Sequence, residues 1–158
     1  NFIGCYIRRA GCYASTNQLL LAARDYESAA KLSEFGSRAN LTKAATFLIR
    51  LKRYDEALAD LDKAAKTKRG EGSATLWMVR GDCYKHMGRD KDAIAAISTA
   101  IKYALEKHGK KGEETTTIIL PTCYKERAQM YERLGKKDLA KADWAMHQKL
   151  TEGVMDEL

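Results

Sequence analysis

Residues 77–88 read WMVRGDCYKHMG. Trp77 is followed four residues on by Gly81, then by Tyr84, then by Gly88. Spacings of three and four place Trp77, Gly81 and Tyr84 on one face of a helix. Gly88 is suited to the left-handed backbone that ends a helix. Taken alone the pattern is weak, and its weight comes from recurrence.

It recurs twice. LTKAATFLIRLKRYDEALADLDKAAK begins at Leu41 and YKERAQMYERLGKKDLAKADWAMHQK at Tyr124, so the three starts lie 36 and 47 residues apart. In each, a large residue (Leu41, Trp77, Tyr124) precedes a small one by four (Ala45, Gly81, Ala128), and another large one follows by three (Leu48, Tyr84, Tyr131). A turn comes next, with Gly88 and Gly135 in two copies and Lys52 in the other. A second small residue (Ala57, Ala93, Ala140) is followed four later by a bulky one (Leu61, Ile97, Trp144). Gly81 and Ala128 let a second helix approach closely, while Trp77, Tyr84, Tyr131 and Trp144 fill the space around them. Ala93, Ile97, Ala100 and Ala104 share one stripe, as expected of packed core. Periods of this size mark stacked helical hairpins.

The pattern resembles the tetratricopeptide repeat family, whose unit is a helix-turn-helix of about 34 residues. The likeness runs over residues 38–150 and is fullest in the middle copy. His147 stands where the family prefers Ala, and no copy has the Pro that often closes a unit. The resemblance implies an all-α fold, an α-solenoid of stacked antiparallel hairpins. The expected units are residues 38–71, 74–108 and 121–158, with an inserted loop and the start of the next helix at 109–120. Gly109, Gly112 and the Thr run mark that loop, and Pro121 suits the first turn of the helix after it. Residues 1–37 are expected to form N-terminal helices. Tyr13, Leu20, Tyr26 and Ala29 fit either a decayed fourth unit with a short second helix or helices outside the pattern.

Composition agrees with a helical globular chain. Its 158 residues are 45% hydrophobic and 31% charged with one Pro, and no apolar run approaches the roughly 20 residues of a membrane span. The net charge of +7 comes from residues 1–112, and the remainder is slightly acidic. Cys5, Cys12, Cys83 and Cys123 form no Cys-x-x-Cys pair and have no His at zinc spacing, so neither a metal nor any other cofactor is expected. They read as reduced thiols of an intracellular compartment, cytoplasmic or the interior of an organelle. The spacing leaves a Cys5–Cys12 disulfide open.

The family's geometry implies a concave face lined by the first helices. Its positions here are Thr42, Thr46, Ile49 and Arg50, then Met78, Asp82, Lys85 and His86, then Lys125, Gln129, Glu132 and Arg133. Such a face suits an extended peptide or a partner helix. One branch of the family clamps chaperone C-termini with Lys, Asn and Arg, but Thr42 and Thr46 stand where Lys and Asn are needed. Gln129 stands where the Arg is expected, and only Lys125 fits. A basic edge is formed by Lys63, Lys66, Lys68 and Arg69 and by Lys102, Lys107, Lys110 and Lys111. Helix-dipole complementation accounts for cations after a second helix, and contact with RNA or acidic protein tails is the sharper alternative.

No catalytic residues are evident. His86, His108 and His147 sit on separate segments without a matched acid or nucleophile, and GKKG at 109–112 lacks the spacing of a phosphate loop. The expected function is a non-catalytic protein-interaction scaffold. It would dock a protein segment or serve as a subunit of a larger assembly, with no small-molecule substrate and no membrane insertion. The apolar start NFIGCYI does not resemble a solenoid cap and is expected to pack against further chain or a neighbouring subunit.

Overall fold

A computed structural model describes residues 2–32, 36–67, 72–107 and 114–155. Eight helices are present among them: α1 (Phe2–Ser15), α2 (Leu19–Leu32), α3 (Ser37–Arg50), α4 (Tyr54–Ala65), α5 (Ala74–His86), α6 (Asp90–Lys107), α7 (Glu114–Arg133) and α8 (Lys137–Met155). The chain divides into two compact units, Asn1–Gly72 and Ser73–Leu158. In the first, α1 packs on α2, α2 on α3 and α3 on α4; in the second, α5 packs on α6, α6 on α7 and α7 on α8.

All four hairpins turn in the same way. Asn17, Lys52, Gly88 and Gly135 take left-handed backbone, with φ of 58°, 60°, 72° and 69°. The next residue donates its N–H five residues back: Gln18 to Tyr13, Arg53 to Leu48, Arg89 to Tyr84 and Lys136 to Tyr131, at 2.8–2.9 Å. This is the double-bonded C-terminal motif that satisfies the last carbonyls of a helix. Asn tolerates the left-handed region, Gly enters it freely, and Lys52 is strained there.

Asn17 fixes the register of the first hairpin. Counted from the turn, Tyr6, Ala10, Tyr13, Ala22, Tyr26 and Ala29 occupy the places of Trp77, Gly81, Tyr84, Ala93, Ile97 and Ala100. Ala10, Ala22 and Ala29 are fully buried. The short second helix expected there is instead α2, 14 residues long, because the hairpin starts at Phe2 rather than near Tyr13.

Small residues set the helix separation within hairpins. Ala45, Ala57 and Ala64 are fully buried around Leu48 and Leu61 in the first unit. In the second, Ala93, Ile97, Ala100 and Ala104 pack with Leu120, Cys123 and Met130. Among the described glycines, Gly81 alone has close neighbours. A Cβ there would lie 2.5 Å from Ile97 Cγ1.

Two local expectations are corrected. The helix after the insertion begins at Glu114, so Pro121 lies inside α7 rather than in its first turn. Its missing N–H deprives the Thr117 carbonyl of a helical partner. The Pro121 carbonyl accepts a hydrogen bond from His147 Nδ1 of α8 at 2.9 Å, which gives His147 a role where a small residue was expected. Likewise Thr115–Thr117 are helical rather than loop, and residues 108–113 lie outside the described ones. Cys5 and Cys12 stand two helical turns apart on α1, about 10 Å along its axis. That exceeds the Cα separation of a disulfide.

Candidate protein-interaction face

The first-helix side of the second unit is built by α5 and α7. Met78 is half-buried on α5, Gln129 half-buried on α7, and Lys125 exposed. The charged groups between them are already engaged. Lys85 Nζ donates to Asp82 at 3.0 Å and forms a short bond to Glu126 of α7. Burial opposes the Lys85 charge, but the bonds to Glu126 and Asp82 prevail, so the ammonium titrates above the ordinary lysine range. His86 donates from Nδ1 to the Asp82 carbonyl at 2.9 Å. Arg133 pairs with Asp90 at the start of α6, and Glu132 accepts from Trp144 Nε1 at 2.8 Å. The face thus carries nearly balanced charge, with Lys125 exposed and Met78 and Gln129 half-buried beside the paired groups.

The face positions of the first unit are less available. Thr42 is buried, and its hydroxyl donates to the Arg38 carbonyl; Ile49 is buried as well. Thr46 and Arg50 are exposed on α3. Thr42 and Ile49 thus belong to packing, because α3 turns them toward its neighbours.

Of the basic edge, Lys63 is bonded to Asp60 at 2.9 Å, Lys102 lies 4.0 Å from Glu106, and Lys66 is exposed at the end of α4. Lys68, Arg69, Lys110, Lys111 and the Lys107 side chain lie outside the described residues. The Lys102 pair is solvated and worth little, whereas Lys63 reaches a buried carboxylate; in both, an acid of the same helix offsets the lysine's charge.

Two arginine pairs to buried aspartates escaped the sequence reading. Arg127 makes a bidentate bond to Asp143, with Nε at 2.7 Å and Nη2 at 2.8 Å, and its Nη1 donates to Ser98 Oγ of α6 at 2.9 Å. Arg9 grips Asp25 in the same manner, at 2.6 and 2.8 Å. Each arginine also lies over two tyrosines, Tyr124 and Tyr131 or Tyr6 and Tyr13. The signal available was an Arg three residues after the first aromatic with an Asp sixteen residues later, present in the first and last hairpins. Asp60 occupies the Asp position of the second hairpin, but Ala44 replaces its arginine. Asp60 is 3% exposed, one of its oxygens has no partner among the described residues, and burial pushes its carboxyl above the usual range.

Burial pushes the Cys123 thiol up to about 12, far from a nucleophile's range. Among the described residues no cluster of His, Cys, Asp or Glu fits a metal ion, and no helix is long and apolar enough to cross a membrane.

Comparison with known proteins fits this architecture. The tetratricopeptide repeat family model matches residues 74–107. No curated protein matches the chain. Among solved structures, BtubC (BKLC) from P. vanneervenii superposes with a TM-score of 0.82 at 18% identity, over 96% of this chain and 64% of that one. The present chain thus spans less than two thirds of that protein's length. MamA from Desulfovibrio magneticus RS-1 (residues 41 to the end) gives 0.73 at 14% identity, over 96% and 76% of the two chains. MamA AMB-1 gives 0.70 at 16% identity, over 97% and 82%. Identities this low speak for fold alone. Residues 74–107 are a tetratricopeptide repeat, and the chain has the all-α helical-hairpin fold of that family.

Proposed function

We propose that this protein is a non-catalytic interaction scaffold that docks a segment of a partner protein or holds a place in a larger assembly. The observation that carries the reading is the solvent-facing side of α5 and α7. There Met78, Lys125 and Gln129 flank an ion network, Asp82–Lys85–Glu126, that is satisfied without a ligand. A preorganised surface of balanced charge favours an extended peptide or helix over a polyanion. Contact with RNA or acidic tails is the weaker reading, since Lys63 and Lys102 each lie beside an acid of their own helix.

The test is capture of defined partners at low and high salt, with and without nuclease, by the native chain and by Lys125→Glu and Met78→Arg. Partners that survive salt and nuclease, and bind the variants about three- to tenfold more weakly, support docking on this face. Partners that persist unchanged in both variants place docking elsewhere. Loss of all partners in salt or nuclease overturns the scaffold in favour of a basic module.

A further inference from the structure

Charge is sorted by helix in the first unit. Among its described residues every acid lies on α2 or α4: Asp25, Glu27, Asp55, Glu56, Asp60 and Asp62. Most of them are held by a cation, Asp25 by Arg9, Glu27 and Glu56 by Arg24, and Asp60 by Lys63. Helices α1 and α3 contain cations and no acid. In the second unit, by contrast, α5 and α7 carry Asp82, Glu126 and Glu132 among their cations.

The consequence falls on α3, which lies between α2 and α4. The side that both leave open shows Ala39, Lys43, Thr46 and Arg50, at helical spacings of four, three and four. No described acid pairs with Lys43 or Arg50, or with the exposed Lys52 in the turn after the helix. Lys43 Nζ lies 5.4 Å from the centre of the Tyr26 ring, which itself stacks on Phe47. The Thr46 hydroxyl donates to the Thr42 carbonyl at 3.0 Å and keeps lone pairs for an incoming N–H. Lys52 is the unusual member. It holds left-handed backbone, φ 60°, at the place where the other hairpins use Asn17, Gly88 and Gly135. A glycine would sit there without strain, so the turn itself does not require a lysine. Strained residues cluster where their side chains serve a site.

We propose that the α3 stripe docks an acidic segment of a partner protein, lying extended along the helix with carboxylates at Lys43 and at the Arg50–Lys52 end. Lys43 and Arg50 stand about 10 Å apart along the axis, the length of about three residues of extended chain. The segment therefore carries acids at every third position. Nucleic acid fits less well, because the aromatic ring of α3, Phe47, is half-buried against Tyr26 and offers no platform to a base. This surface belongs to the first unit and goes beyond the α5–α7 reading, with variants of its own.

The probe is a fluorescently labelled twelve-residue peptide with Glu at every third position and Gly or Ser between, added to the full chain at low salt. Saturable binding is expected, and replacing each Glu of the peptide by Gln abolishes it. Lys43→Glu and Arg50→Glu weaken binding at least about tenfold. Lys31→Glu and Lys66→Glu, which change the net charge equally at exposed positions on α2 and just past α4, alter it by less than about twofold. Lys52→Gly separates binding from folding: the variant binds about threefold more weakly while unfolding at a higher urea concentration. Met78→Arg and Lys125→Glu leave peptide binding unchanged, so failure here and failure of the α5–α7 face are told apart. Absence of saturable binding, binding indifferent to Lys43→Glu and Arg50→Glu, or equal loss with Lys31→Glu and Lys66→Glu overturns the proposal. So does equally tight binding of a single-stranded oligothymidylate of the same charge, which assigns the stripe to nucleic acid.

Discussion

Gly81 lets α5 approach α6 closely, and Gly81→Ala tests why. Helix propensity alone favours Ala over Gly by about 1 kcal/mol in a helix interior. The structure opposes that gain, because the new methyl would lie 2.5 Å from Ile97 Cγ1 and 3.2 Å from its Cδ1. Ile97 is 1% exposed and has nowhere to retreat, so overpacking costs about 1–3 kcal/mol. A net destabilisation of about 1–2 kcal/mol is expected. The other hairpins point to the cause. Ala10, Ala45 and Ala128 hold the same position opposite Tyr26, Leu61 and Trp144, none of which branches at Cβ. Ile97→Leu moves the branch one carbon out, so it should restore most of the loss in Gly81→Ala while costing little by itself. Urea unfolding followed by Trp77 and Trp144 fluorescence gives the double-mutant cycle, and a coupling of about 1 kcal/mol or more is expected. The reasoning is refuted if Gly81→Ala is as stable as the native chain, or if Ile97→Leu gives no rescue.

Lys52→Gly should stabilise the first unit by about 0.5–1 kcal/mol, because it removes the left-handed penalty of a side chain at φ 60°; an unchanged or lower urea midpoint would contradict this. Asp60→Asn addresses a carboxyl whose folded pKa is raised above its unfolded value, chiefly by burial. Ionising it costs stability. The advantage of the variant, at most about 1 kcal/mol at pH 7, should therefore shrink as pH falls through the raised pKa and vanish below the ordinary carboxylate range. A stability difference that stays constant with pH would contradict the assignment.

How much of this was legible in the sequence depended on which residue marked each turn. Gly88 and Gly135 announce left-handed backbone, so the hairpins around them could be placed from spacing. Asn17 and Lys52 adopt the same conformation without announcing it, because the motif's two backbone hydrogen bonds enforce it whatever the side chain. Without Asn17 as an anchor, the start of the first hairpin was misplaced and Tyr6 and Ala10 were passed over. Pro121 misled for a related reason: proline is at ease in a first turn, but tertiary contacts here extend α7 upstream of it. For the interaction face, residue types and positions on α5 and α7 could be read from the repeat register. The pairing of Lys85 with Glu126 could not, since it depends on how two helices forty-one residues apart are set side by side.

Helix α1 packs against α2 alone among the described helices, whereas α2 and α3 each lie between two. A helix held by a single neighbour, as α1, α4 and α8 are among the described helices, opens at a smaller free energy than one held by two, and its amides exchange sooner with solvent. Any ligand that binds only the closed form of such a helix must stabilise it by mass action, so occupancy would register as slowed exchange of its own backbone.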